Sequence, residues 1–149
     1  MNRFPFRVEF PAEVTMTPEL INTLGDELYD ALKGCQVVDP LTTRHPEITI
    51  EEAYAIQQRL NARRIDAGER IIGKKIGVTS KAVMDMLGVY QPDFGLLTDG
   101  MVYNEGEAIP ASTLIQPKAE GEIAFVLKQD LAGPGISAAD VLAATEGVM

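Results

Sequence analysis

Tryptophan is absent from the chain, and cysteine and histidine occur once each, as Cys35 and His45. A single cysteine excludes an internal disulfide framework and any cysteine-based zinc site. A single histidine excludes His-rich metal chemistry and would make a Ser-His-Asp triad depend on His45 alone. Basic residues are scarce too: 13 Lys and Arg stand against 22 Asp and Glu, a formal net charge of −9. Duplex binding draws much of its affinity from phosphate neutralisation, so no nucleic-acid partner is expected. No apolar run approaches the roughly 18 residues that would cross a bilayer, and no N-terminal stretch has the layout of a secretory signal. The expectation is a cytoplasmic protein with no membrane partner. Any catalysis would run on carboxylates, lysines and a hard metal ion.

The 149 residues are 46% hydrophobic and 23% charged, enough to build one domain around a core. Residues 1–16 show no clear period and read as an N-terminal extension. Thr17-Pro18-Glu19 is a helix start, with a hydroxyl cap, proline in the first turn and an acid at the positive end of the dipole. Leu20, Leu24, Leu28 and Leu32 then recur every fourth residue until Gly34 ends the run. Residues 35–48 read as a loop in which Cys35 is a small buried hydrophobe and His45 an ordinary surface residue. Thr49 and Glu52 form a capping box for a second helix, with Ala53, Ile56, Leu60 and Arg64 on one face and a stop at Gly68.

Beyond Gly68 the period shortens. Residues 70–79 read as a strand interrupted by Gly73 and Gly77, and 80–87 as a short helix capped by Ser80 and ended by Gly88. Gln91 to Gly95 reads as a turn, and short strands around Leu96 and Val102 flank an Asp99-Gly100 hairpin signal. Residues 120–128 form the best strand of the chain. Gly133-Pro134-Gly135 is a turn, and Ser137 opens a last helix to about Thr145. Helices first and strands later give an α+β class.

Glu120 and Glu122 are the sharpest chemical feature. In a strand, side chains two apart share a face, so both carboxylates project together and need a counter-charge, a shared proton or a cation. Mg²⁺ or Mn²⁺ suits such oxygen donors. The competing reading is a solvated strand face, which the apolar run Ile123 to Leu127 weakens by placing the pair at the mouth of a two-sided core. Lys74 and Lys75 would face opposite ways on a strand, so one can meet an anionic substrate; a pair of edge lysines kept for solubility is the plainer alternative. Asp93 is a candidate general acid or base, or an Asp that caps its own turn. No G-x-G-x-x-G or G-x-x-x-x-G-K-[ST] string supports nucleotide binding.

The strings PLTTRHPEITIEEAYAIQ, GKKIGVTSKAVMDMLGVYQPDFG, LIQPKAEGEIAFVL and LAGPGISAADVLAATE resemble the 2-hydroxypenta-2,4-dienoate hydratases. These are also called 2-keto-4-pentenoate or vinylpyruvate hydratases, of the fumarylacetoacetate hydrolase superfamily. The resemblance runs from about Thr17 to the last residue. It implies a hydro-lyase of meta-cleavage aromatic catabolism that adds water to 2-hydroxypenta-2,4-dienoate to give 4-hydroxy-2-oxopentanoate. It further implies an Mg²⁺ or Mn²⁺ cofactor, a small 2-oxo or 2-hydroxy dienoate substrate and a homo-oligomer. On the matching motifs, Glu120 and Glu122 are the paired metal carboxylates, Lys75 faces the substrate and Asp93 is the acid-base residue. The implied fold is N-terminal helices followed by the first part of a mixed, barrel-like β-roll. Family chains are longer and carry a third metal carboxylate beyond the last of these residues, so residues 17–149 are expected to be the N-terminal portion of a single hydratase domain, a fragment or a truncated product. The alternatives are the 2-oxo-3-hexenedioate (4-oxalocrotonate) decarboxylase branch, from which Asp93 in QPDFG separates it, and a non-catalytic remnant.

Overall fold

The computed structural model describes residues 16–149; residues 1–15, most of the expected N-terminal extension, lie outside the described residues. The described chain forms two compact units, residues 16–115 and residues 116–149.

The first unit begins with α1 (Pro18–Lys33), capped as its sequence demands: Thr17 accepts the N–H of Leu20, proline opens the first turn and Gly34 closes the last. A single turn, α2 (Leu41–Arg44), interrupts the expected loop and leads to α3 (Ile50–Asp66). The capping box at α3 is complete, since Thr49 accepts the Glu52 N–H while the Glu52 carboxylate accepts the Thr49 N–H at 2.9 Å. The same carboxylate accepts the N–H of Met16 at 2.6 Å, which explains how an acid can be fully buried on this helix. The buried face of α3 therefore carries Glu52, Ile56, Asn61 and Arg64, whereas Ala53, expected on it, is exposed.

Ile56 packs with Met16 and Leu24, supported by Leu20, Ile21, Leu28, Leu41 and Ile48, so Leu20, Leu24 and Leu28 of the α1 stripe serve the core as their spacing predicts, whereas Leu32, in the last turn, is exposed. Gly25 sets how closely α1 and α3 approach. A methyl carbon placed on it would lie 2.5 Å from Arg59 Cβ and 2.8 Å from the Ile56 carbonyl oxygen. Alanine would gain about 1 kcal/mol of helix propensity, but forcing the helices apart costs about 1–3 kcal/mol. Gly25→Ala is therefore expected to lower the urea midpoint of unfolding; a raised midpoint would contradict the close crossing.

Across the same crossing Asp26 receives a two-pronged contact from Arg59, at 2.8 and 2.9 Å, and a third from Arg63 at 2.9 Å. The Arg63 guanidinium also lies 4.7 Å over the Tyr29 ring. Hydrogen bonds from Arg59, then Arg63, pull the Asp26 carboxyl down to about 2. A carboxyl lowered in the folded state contributes stability above its unfolded value and loses it as pH falls through the folded one. The urea midpoint is thus expected to drop between about pH 4 and pH 2, and Asp26→Asn to flatten that drop. An unchanged slope would remove Asp26 from the acid response.

β1 (Ile71–Gly77), α4 (Lys81–Leu87) and β2 (Asp93–Thr98) complete the regular structure of this unit. Ser80 and Gly88 cap α4 as expected, Gly88 in the left-handed region with φ 67°. β1 and β2 pair antiparallel from Ile71↔Thr98 to Gly77↔Asp93, with a bulge between Ile71 and Gly73. Two expectations fail here. Gln91 to Gly95 is not a free turn, because Asp93 already starts β2. Nor does Asp99-Gly100 turn a hairpin: it begins a 3-10 turn (Asp99–Met101), and Val102 joins no strand. The cause is the Asp99 carboxylate, which accepts both the backbone N–H and the Nε–H of Arg70 at 2.9 Å and ties the end of β2 to the start of β1. Those bonds hold the Asp99 carboxyl below its ordinary range. Next to it, Thr98 and Arg64 both donate to Glu69, closing β2 onto the end of α3. Burial pushes Glu69 up, yet these donors outweigh it and leave the carboxyl lowered.

Cys35 is exposed rather than buried. It adopts φ 49° just past the Gly34 cap and donates its N–H to Leu32 at 3.2 Å, which turns the chain away from α1.

In the second unit β3 (Phe125–Leu127) pairs antiparallel with β4 (Thr145–Val148), a bulge falling between Val126 and Leu127, and reciprocal bonds between Ala124 and Met149 extend the ladder by one pair. Between them α5 (Ala138–Ala144) has a capping box in which Ser137 and Asp140 exchange hydrogen bonds. The strand expected over 120–128 is thus shorter, and its expected two-sided core is not formed among the described residues: Ile123 is 74% and Phe125 55% exposed. A two-stranded ribbon has one partner and no covering layer of its own, so its apolar residues stay open on both faces. Among the described residues no helix is long and apolar enough to cross a membrane.

Candidate active site

Alternation along β1 and β2 sorts their residues onto two faces. Lys74↔Leu96 and Ile76↔Phe94 lie on one, Lys75↔Gly95 and Gly77↔Asp93 on the other. Lys74 and Lys75 consequently point opposite ways, as their spacing predicts.

Lys75 and Asp93 stand at diagonal corners of a four-residue square whose other corners are glycines. With no side chain at Gly95, the Lys75 stem crosses the strand pair there: a methyl carbon on Gly95 would lie 3.0 Å from Lys75 Cγ and 3.4 Å from Cδ. With none at Gly77, the two charged ends converge over it. A methyl carbon on Gly77 would collide with Asp93 Oδ1 and lie 3.1 Å from its Cγ and 3.2 Å from Lys75 Nζ. The ammonium and carboxylate therefore share one small space above bare backbone. Lys75 and Asp93 are both exposed, so the pair is open to a dissolved anion.

The far edge of β2 is held by α3. The Phe94 N–H donates to the Tyr54 hydroxyl at 3.1 Å, and the Phe94 carbonyl accepts from Gln57 Nε2 at 3.4 Å. Two side chains one helical turn apart thus take the place of a neighbouring strand and anchor the residue next to Asp93. Sequence reasoning missed both. Their spacing on a capped helix was visible, but their partner was main chain, which leaves no side-chain signature.

Glu120 and Glu122 belong to the 116–149 unit, on exposed chain that precedes the paired part of β3. Strand pairing, which would hold them on a common face, begins only at Ala124. Among the described residues no group of three or more His, Cys, Asp or Glu is placed to hold a metal ion. His45, the single histidine, is partly buried, with Nδ1 3.9 Å from Glu47.

No family model matches the chain. It is 65% identical over 135 residues to a 2-hydroxypent-2,4-dienoate hydratase of Pseudomonas putida, an alignment covering 90% of this chain and 61% of that one. A 2-hydroxyhexa-2,4-dienoate hydratase of Comamonas testosteroni is 58% identical over 132 residues, covering 87% and 50%. By sequence, the chain is similar to named 2-hydroxydienoate hydratases. It spans about half the length of the curated relatives it matches. Among solved structures it superposes with a TM-score of 0.84 on 4-oxalocrotonate decarboxylase from Pseudomonas putida G7, complexed with magnesium and adipate. That match has 35% identity and covers 91% of this chain and 52% of the decarboxylase. The α+β class read from the order of the elements is the class the described residues form, and they superpose on that decarboxylase.

Proposed function

We propose that this chain supplies the lysine, the acid-base carboxylate and a carboxylate pair for a divalent metal in a hydratase that converts 2-hydroxypenta-2,4-dienoate to 4-hydroxy-2-oxopentanoate. The observation that carries the reading is the convergence of Lys75 and Asp93 over Gly77 in a chain 65% identical to a named pentadienoate hydratase. Residues 17–149 are then the N-terminal portion of a hydratase domain that builds a barrel-like β-roll and works as a cytoplasmic homo-oligomer in aromatic catabolism.

Each group has a task that its chemistry suits. Lys75 presents an ammonium above bare backbone, where it can neutralise the substrate carboxylate. Asp93, at the opposite corner, can deliver a proton to carbon 5 as the dienol becomes a conjugated enone and take one from the water that adds at carbon 4. Glu120 and Glu122 would hold Mg²⁺ or Mn²⁺: their donors are hard carboxylate oxygens, one residue apart on exposed chain. The chemistry such an ion supplies is Lewis-acid polarisation of the substrate's 2-oxygen. The magnesium bound to the solved decarboxylase supports a divalent cation of this kind.

A second reading, decarboxylation of 2-oxo-3-hexenedioate, has that solved structure in its favour, but at 35% identity against 65% for the hydratase. The two separate in one assay. Loss of the dienol's ultraviolet absorbance is followed with Mg²⁺ or Mn²⁺ added, then with a chelator, and the hexenedioate is offered in parallel with detection of CO₂. Hydration that the chelator stops is the expected result. Consumption of the hexenedioate alone would overturn it in favour of the decarboxylase, and a folded, metal-supplied chain inert toward both would overturn catalysis by these residues unaided.

A further inference from the structure

We propose that Gly77 and Gly95 are positioning residues for the Lys75–Asp93 pair, Gly77 seating the Asp93 carboxylate and Gly95 seating the Lys75 stem. The proposal rests on the reading of those two charged residues as the substrate-facing pair.

Glycine weakens a strand, so three glycines among the thirteen residues of β1 and β2 call for a reason. Backbone geometry is not that reason. The positive-φ glycines are Gly68, Gly88, Gly106, Gly133 and Gly135, and neither Gly77 nor Gly95 is among them. An L-residue could adopt either backbone; what it could not do is find room for its side chain. At Gly77 the space belongs first to the Asp93 carboxylate, which a methyl group would displace outright, while the Lys75 ammonium, 3.2 Å from the same point, need give by only a few tenths of an ångström. At Gly95 it belongs to Lys75 Cγ and Cδ, a flexible stem that a methyl group would lift. Gly73, on β1 itself, provides the contrast: a methyl group there meets only Leu97, at 3.6 and 3.8 Å, an ordinary contact.

The two sites also separate by consequence. Moving the Asp93 carboxylate disturbs proton transfer, whereas lifting the lysine disturbs capture of the substrate's charge. Gly77→Ala should therefore act on kcat and Gly95→Ala on KM, a division that general loosening of the ribbon would not produce.

The first test needs no turnover. Carbodiimide treatment of the chain, followed by peptide mapping, should join Lys75 to Asp93 as an amide, with loss of water through the activated carboxyl. Lys81 and Asp85, 2.8 Å apart, serve as the internal reference. Gly77→Ala should cut the Lys75–Asp93 product about tenfold or more while leaving the reference unchanged, because a small displacement of reacting groups has a large rate effect. Gly73→Ala should leave both products unchanged. Wild-type yield in Gly77→Ala, or an equal loss in Gly73→Ala, overturns the proposal. If circular dichroism shows Gly77→Ala unfolded, the milder Gly95→Ala carries the same test. In the hydration assay, Gly77→Ala should lower kcat by about 10²-fold with KM little changed, and Gly95→Ala should raise KM about tenfold with kcat little changed. Parallel losses of both parameters in the two variants would overturn the division of roles. Asp93→Asn turning over at the wild-type rate would instead remove the hydratase role of Asp93, and the crosslinking yields would still decide the positioning.

Discussion

Asparagine at position 93 is expected to slow hydration by about 10²–10⁴-fold, the usual worth of a positioned general acid or base. Asp93→Asn keeps the size and planarity of the side chain, and the amide fits the space above Gly77 that the carboxylate now fills. Pairing of Gly77 with residue 93 runs through the backbone, and the neighbouring Phe94 stays anchored by Tyr54 and Gln57, so the fold should be undisturbed. What the substitution removes is the ability to exchange a proton. The loss should therefore appear in kcat, followed as the disappearance of dienol absorbance, with KM close to the wild-type value. Lys75→Ala should do the reverse and raise KM, since it deletes the charge proposed to meet the substrate carboxylate. A variant lacking the Asp93 carboxyl but retaining wild-type turnover would sink the acid-base role.

Glu122→Gln is the second large effect, read in metal binding. A carboxamide offers one neutral oxygen where the carboxylate offered two that share a negative charge, and Mg²⁺ and Mn²⁺ dehydrate only for strong, charged oxygen donors. Changes in groups that merely support a ligand already cost about 10–100-fold in metal affinity, so loss of Glu122 as a proposed ligand should exceed that range. Mn²⁺ titration followed by electron paramagnetic resonance reads the free ion directly and does not depend on turnover. Affinity in Glu122→Gln equal to wild type would take Glu122 out of the metal site. Equal losses in Glu120→Gln and Glu122→Gln would support joint ligation.

The chain differs from end to end in how far its letters reveal it. α1, α3, α4 and α5 were legible because their signals are local: Thr17, Thr49, Ser80 and Ser137 each accept an N–H three residues ahead. The region from Gln91 to Val102 was misread for the opposite reason. Pro92, Asp93, Asp99 and Gly100 are all turn formers, yet pairing with β1 draws Asp93 into a strand, and the distant Arg70 holds Asp99 in a 3-10 turn. The Ile123–Leu127 run announced a buried strand, and the ribbon it forms with β4 leaves Ile123 and Phe125 largely exposed. Apolar pattern states what a segment is fit to bury, while burial depends on a second layer.

The sequence alone determined the boundaries of α1, α3, α4 and α5, the core stripe of Leu20, Leu24 and Leu28, the opposition of Lys74 and Lys75 and the family resemblance, since all of these depend on residues close in the chain or on strings matched whole. Tertiary structure alone decided that Lys75 and Asp93 converge, that Gly77 and Gly95 are bare to make room for them and that Tyr54 and Gln57 hold the strand edge. Strand register is the physical reason. It brings residues 16 or more positions apart face to face through main-chain hydrogen bonds, and those bonds are the same whatever the side chains may be.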